Sequence, residues 1–190
     1  MDDQTLYRTA GISAGIALVT LVISGIALGL FFGGAGAFWG PINDVFIAAT
    51  GFALLLPILA VDRMAVAEAP WIRVVTILVI GGALLMAIGQ LLLVAGVITL
   101  NDSFITGGLG FATILIWLVA LVALAFGWHA IPTVVGTLAA VSLGLVAVTA
   151  VVGMATTGPA LWIACAVLLA ALTAWLASLA AGLMARVPAA

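Results

Sequence analysis

The sequence predicts an all-α polytopic membrane protein with six transmembrane helices arranged as three consecutive helical hairpins. Composition and pattern both lead to this fold class. Of the 190 residues, 67% are hydrophobic and only 5% are charged, which leaves too little polar surface to cover a soluble core. The apolar residues form long uninterrupted runs rather than the alternating pattern of a membrane barrel. A chain of this length has room for about six spans of roughly 20 residues.

The predicted spans follow the apolar runs, and short turns rich in glycine or polar residues separate them. The first run is longer than a signal-peptide core and only Arg8 precedes it, so we expect a retained helix. Pro57 lies inside the second span and predicts a kink there. We expect one domain whose spans cover residues 10–32, 43–61, 74–100, 104–128, 133–154 and 160–185.

The four basic residues all predict the same orientation in the membrane. Arg8 precedes the first span, Arg63 and Arg73 lie between the second and third spans, and Arg186 follows the sixth. With six spans these arginines fall on one side, which the positive-inside rule places in the cytoplasm together with both termini. The lysine-free composition, rich in Ala, Gly, Val and Leu, favours a prokaryotic protein of the cell (inner) membrane.

A short motif occurs twice and predicts an internal duplication of residues 10–61 and 74–128. The only two asparagines of the chain, Asn43 and Asn101, are each followed directly by an aspartate. Both copies then continue with Phe-Ile and, further on, with Gly-Phe-Ala, although the second copy carries one extra residue. A two-helix repeat keeps its orientation in the membrane, so this duplication differs from the inverted repeats of many transporters.

Each Asn-Asp pair comes where a helix is predicted to begin on the outer side. Asn and Asp are favoured N-cap residues, and a carboxylate there complements the helix dipole. We therefore interpret Asn43, Asp44, Asn101 and Asp102 first as helix caps. The alternative is an outer vestibule where the two carboxylates attract a cation or a polar head group, although a hard cation needs more oxygen ligands than two side chains provide.

Gln90 is the most polar side chain predicted near the middle of the membrane. It shares one face of the third span with Thr76. An intramembrane Gln is explained by hydrogen bonds between packed helices. The alternative is that Gln90 and Thr76 line a pore or a ligand site.

Glycines one helical turn apart predict close contacts between helices, because small residues let two backbones approach each other. These candidate packing positions lie in the first and fifth spans at Gly11, Gly15, Gly25, Gly29, Gly136 and Gly144.

The residues most often used to hold cofactors occur singly in this chain. His129 is interpreted as an interfacial or helix C-terminal residue, since it has no second His, Cys or carboxylate beside it for haem or zinc. Cys165 lies inside an apolar run. Trp117 and Trp175 lie deep in their spans and are interpreted as packing residues, with a flat hydrophobic cofactor as the alternative. No cofactor and no metal site is predicted.

The predicted function is that of a non-enzymatic accessory or assembly subunit. No Asp, Glu, Lys or Arg lies in the middle third of any span, and no catalytic motif is present in the sequence. The expected partners are the lipid bilayer and another transmembrane protein or a second copy of this chain. A net charge of −2 gives no nucleic-acid footprint.

The alternative function is a small uncoupled channel or facilitator for an ion or small solute, with its outer mouth near Asp44 and Asp102. The two functions differ in where Gln90 and the Ser/Thr residues point. A continuous polar passage would favour the channel, whereas a dry interior with a glycine-rich face open to lipid would favour the subunit.

Overall fold

The computed structural model describes residues 2–187, and over this range the protein is all-helical. Each of its six helices is long and apolar enough to cross a membrane. The helices are α1 (Asp3–Phe32), α2 (Trp39–Ala65), α3 (Ile72–Val94), α4 (Leu100–Phe126), α5 (Thr133–Ala155) and α6 (Pro159–Met184). The sequence therefore predicts the type of each element correctly, whereas several boundaries differ.

The first helix starts earlier than the apolar run indicates. α1 begins at Asp3 rather than at residue 10, because Asp2 caps it. The Asp2 carboxylate accepts a hydrogen bond of 2.7 Å from the backbone N–H of Thr5. This bond stabilises the ionised form and lowers the pKa of the Asp2 carboxyl. Hydropathy alone misses such a polar first turn.

The second helix is longer than predicted at both ends. It begins at Trp39 rather than at Asn43, and it continues past Val61 to Ala65. The consequence at the first end is that Asn43 lies inside the helix. The consequence at the second end is that Asp62, which the sequence places in a loop, becomes part of α2.

The connection between α3 and α4 is longer than the sequence predicts. α3 ends at Val94, because Gly96 adopts the left-handed conformation (φ 69°) that favours glycine just past a helix end. α4 then begins at Leu100, capped by Thr99. Residues 95–99, which the sequence predicts as the end of the third span, therefore form this turn.

Helices that follow each other in the chain pack antiparallel. Between α1 and α2, the Ser13 hydroxyl donates to the Ala53 carbonyl at 2.6 Å, and the Ser24 hydroxyl donates to Asn43 Oδ1 at 2.7 Å. Residue numbers thus rise along one helix as they fall along the other. The other consecutive pairs show the same register, for example Gly82 beside Thr113 and Gly89 beside Thr106 between α3 and α4.

The six helices form a closed ring. Each helix packs against its neighbours in the chain, and α6 packs against α1. The closing contact uses two glycines of α1: Gly11 lies against Met184, and Gly25 lies against Leu169. α2 also touches α6, so the ring is flattened rather than circular.

The four arginines all lie at the same end of this bundle, which we call the arginine end. The largest fully buried side chains lie in the half of the bundle nearest to it, and they include Trp117, Ile58, Leu121 and Leu176. α2 and α4 supply most of this core, whereas only 11% of the residues in the most apolar stretch of α5 are buried. The bundle is therefore tightly packed toward the arginine end, and α5 is left largely uncovered.

Candidate functional site

The first Asn-Asp pair lies within α2 and caps no helix. α2 starts at Trp39, its N-cap residue Phe38 provides no side-chain hydrogen bond, and Asn43 follows one turn later. Asn43 Oδ1 accepts the hydrogen bond from Ser24 of α1, and Asn43 Nδ2 donates to Asp44 Oδ1 at 3.1 Å. The capping interpretation is wrong for this pair. Asn43 instead ties α2 to α1, and its amide orients the Asp44 carboxylate.

The second Asn-Asp pair lies in the first turn of α4, where Asp102 takes part in a capping box. The cap residue itself is Thr99, whose hydroxyl accepts from the Asp102 N–H at 3.3 Å. In return Asp102 Oδ2 accepts from the Thr99 backbone N–H at 3.0 Å and from the Thr99 hydroxyl at 2.7 Å. Asp102 thus contributes to capping as the third helical residue, whereas the N-cap itself is Thr99, two residues before the Asn-Asp motif. Asn101 is exposed beside it.

The structure gives no sign that Asp44 and Asp102 act together. Asp44 is on α2 and Asp102 is on α4, two helices that are not neighbours in the ring. Within residues 2–187 no hydrogen bond joins them, and no group of three or more His, Cys, Asp or Glu is close enough to hold a metal ion.

The different roles of the two aspartates lead to a direct prediction. Replacing Asp102 with alanine should lower the free energy of unfolding by about 1 kcal/mol, because the capping box loses its reciprocal hydrogen bonds. Replacing Asp44 with alanine should change stability less, since its hydrogen bond comes from the adjacent Asn43. Equilibrium unfolding in detergent measures both variants, and equal losses would contradict the assignment.

Gln90 lies at the contact between α3 and α4. Ser103 Oγ is 3.5 Å from Gln90 Oε1, and the amide nitrogen is next to Gly107. Thr76 lies further toward the arginine end and is buried, and its hydroxyl has no hydrogen-bond partner within the described range. The structure therefore does not bring Gln90 and Thr76 together in one site.

The candidate packing glycines divide into two groups. Gly11 and Gly25 pack against α6, and Gly136 packs against Ala125 of α4, so a methyl group at any of them would clash. The other group has open space where a side chain would be: nothing in the described structure lies within 4 Å of the added carbon at Gly15, Gly29 or Gly144.

α5 carries an uncovered surface of small and β-branched residues. Its buried residues, Val135, Gly136, Ala139 and Ser142, all lie in its first half. From Ala140 onward the helix exposes a stripe at helical spacing, which we call the α5 face. It consists of Ala140, Gly144, Ala147, Val148 and Val151. An open, wholly apolar groove follows its outer part.

The interior of the ring is closed by two tryptophans. Trp117 of α4 and Trp175 of α6 meet edge to face with their ring centroids 5.5 Å apart, and both are at least 98% buried. A cavity of about 10 Å³ with an apolar lining that includes Val61, Ile131 and Leu179 lies between α2 and α6. This is about the space of one water molecule.

A buried carboxylate at the arginine end is not predicted from the sequence. Asp62 is 6% exposed, and its Oδ1 atom lies 3.1 Å from Arg73 Nε at an angle that does not make a hydrogen bond. A second ion pair, between Arg63 and Asp3, joins α2 to α1 at 2.9 Å. Helical periodicity could have identified Asp62, because it follows the buried Ile58 by one turn.

Comparison with known proteins adds no assignment: no protein-family model matches the chain, and neither a curated protein nor a solved structure matches it significantly. Function is therefore inferred from the packing and exposure of its helices.

Proposed function

We propose that this protein is a non-enzymatic membrane subunit that binds other transmembrane helices through the α5 face. The observation that carries the proposal is the contrast between a closed interior and an open helix surface. Trp117 and Trp175 fill the centre of the ring, whereas Gly144 in the middle of α5 has open space around it.

Small residues make the α5 face suited to another helix. In a bilayer, helix association depends on close van der Waals packing rather than on burial from water, and Ala and Gly allow that packing. Gly136 shows how this chain already uses such a position, since α4 lies directly against it. Gly144, two turns further along α5, has no such neighbour in the described structure, and a partner helix would occupy that space.

In the membrane we place the arginine end in the cytoplasm, with the six helices as three hairpins. Arg8, Arg63, Arg73 and Arg186 all support this orientation. The opposite end carries Asp44 and Asp102 and no basic residue. The α5 face then lies at the level of the bilayer core and the outer leaflet.

The proposal is tested by measuring the mass of the intact protein after purification in mild detergent from its native membrane. We expect a complex heavier than the 19.1 kDa chain. Replacing Gly144 with leucine should dissociate the complex, because the larger side chain blocks close approach. Gly81 is the matched control, since the space around it is also open but it lies on α3. A wild-type monomer without a co-purifying protein would contradict the proposal.

The second candidate function, an uncoupled channel or facilitator with its mouth near Asp44 and Asp102, would need the tryptophan contact to open. The channel function is favoured only by polar contacts between helices in the half of the bundle away from the arginine end. One of them is the 2.8 Å hydrogen bond between the Thr20 and Thr50 hydroxyls. Purified protein in liposomes discriminates between the two. Release of potassium or glycerol above that of empty liposomes, abolished by substitution of Asp44, would favour the channel.

A further inference from the structure

α4 and α5 pack tightly near the arginine end and separate toward the opposite end. Near the arginine end, Gly136 of α5 lies directly against Ala125 of α4. Positions seven residues apart share a face of a helix, so the side of α4 that faces α5 continues from Ala125 to Leu118, Phe111 and Phe104. Ala125 and Leu118 are at most 1% exposed. Phe111 is 41% exposed and Phe104 is 71% exposed, so α5 no longer covers this side of α4.

The side of α5 that faces α4 shows the same change. All buried residues of α5 lie before Leu143. Leu143 and Ala150 follow Gly136 at intervals of seven residues, and they are partly exposed and exposed, respectively. Met154, a whole number of helical turns after Gly136, is 82% exposed. The facing sides of both helices therefore become uncovered together, and they form a cleft between α4 and α5.

The other neighbours of α4 and α5 remain in contact along the cleft. Thr106 of α4 lies against Gly89 of α3. The Thr149 hydroxyl of α5 is 3.4 Å from the Ala164 carbonyl of α6. The α3–α4 hairpin therefore diverges from the α5–α6 hairpin, and the ring is open sideways at this point. In a membrane, such an opening faces the lipid chains.

The cleft extends through about one leaflet of a bilayer. The buried part of α5 runs from its first residue, Thr133, to Ser142, and a helix of this length rises about 15 Å. That is half of a hydrocarbon core of about 30 Å, so the cleft begins near the middle of the membrane. A transmembrane helix crosses both leaflets, whereas a phospholipid chain ends at the middle. The depth of the cleft therefore fits a lipid chain rather than a helix.

The chemistry of the cleft also fits a hydrocarbon chain. Between Ser103 and Ala185, which includes both walls, the sequence contains no Asp, Glu, Lys or Arg. Water in the cleft would find few polar partners, and an empty cleft would leave its apolar walls without van der Waals contacts. The end of the bundle at which the cleft opens carries no basic residue, so an anionic head group would meet no opposite charge there.

We propose that the cleft between α4 and α5 binds one hydrocarbon chain of a phospholipid with a zwitterionic head group, from the leaflet away from the arginine end. The chain lies against Phe104 and Phe111 on one wall and against Leu143 and Ala150 on the other. Gly144 belongs to the neighbouring side of α5, so the lipid site does not depend on whether the α5 face binds a partner.

Native mass spectrometry of the delipidated protein, titrated with dioleoyl phosphatidylcholine, tests the site. We expect wild type to bind one lipid per chain more tightly than any further lipid. Ala150→Phe should lose this binding, because the ring fills the cleft. Ala170→Phe is the matched control, since Ala170 is also exposed but lies on α6, and it should bind the lipid as wild type does. No tightly bound lipid on wild type, or equal binding by all three proteins, would overturn the proposal.

Electron spin resonance distinguishes a chain held in the cleft from the lipid that surrounds any membrane protein. The probe is phosphatidylcholine that carries a spin label near the end of one chain, in phosphatidylcholine vesicles containing the protein. We expect a motionally restricted fraction with wild type and with Ala170→Phe, and a smaller fraction with Ala150→Phe. Equal restricted fractions for wild type and folded Ala150→Phe protein would also contradict the site.

Discussion

Replacing Trp117 with alanine is expected to lower the free energy of unfolding by about 3–5 kcal/mol, the range for removing a large aromatic side chain from a packed interior. Trp117 is completely buried and contacts Trp175 across the ring. Its removal leaves a cavity that α4 and α6 cannot easily close, because both are held by their other neighbours. Equilibrium unfolding in mixed detergent micelles measures the loss.

Trp162→Ala is the matched control for this variant. Trp162 is 42% exposed, and its nearest aromatic neighbour, Phe32, is 6.2 Å away between centroids. We expect a loss below about 1 kcal/mol, as for exposed positions in general. Similar losses at Trp117 and Trp162 would show that the ring centre is not the packed core described above.

Replacing Gly110 with alanine should destabilise the protein by about 1–3 kcal/mol through overpacking. A Cβ atom at Gly110 would lie 2.7 Å from the backbone carbonyl oxygen of Gly82 on α3. Backbone cannot rotate away as a flexible side chain can, so α3 and α4 would have to separate. Thermal unfolding in detergent, followed by circular dichroism, detects the change.

Gly108 provides a control on the same helix, two residues away. Nothing in the described structure lies within 4 Å of a Cβ atom added there. Gly108→Ala should therefore leave stability unchanged or raise it by up to about 1 kcal/mol, since alanine favours the helical conformation. Equal effects of the two substitutions would refute the close contact between α3 and α4.

Composition and long apolar runs were enough to predict six helices, because spanning a membrane leaves the backbone few alternatives. Boundaries were less predictable where polar residues belong to helices. The first turn of α1 depends on the cap at Asp2, and the end of α2 includes the buried Asp62. Hydropathy treats such residues as loops, whereas local hydrogen bonds and ion pairs keep them helical.

The Asn-Asp repeat shows that a short sequence motif does not by itself predict the role of its residues in the structure. The two copies have similar sequences, yet Asp102 completes the capping box of Thr99 at the start of α4, whereas Asn43 joins α2 to α1. The difference arises from the preceding residues, because Thr99 supplies a cap hydroxyl and Phe38 does not. The internal duplication itself remains a prediction.

The sequence predicts that glycines bring helices into close contact, but it does not predict which glycines do so. Gly11 and Gly15 follow the same spacing rule, and only Gly11 packs against α6. Which glycine is covered depends on how the ring closes, and that closure is not encoded in the spacing.

Photo-crosslinking in the native membrane tests most directly whether the α5 face is an assembly surface. Cys165, which is exposed on α6, is first replaced by alanine. Single cysteines carrying a photoreactive group are then placed at Ala140, Gly144 or Val151, with Ile77 of α3 as an equally exposed control. We predict protein adducts from the α5 positions well above those from Ile77. Adducts with lipid alone at all of these positions would contradict the proposed assembly function.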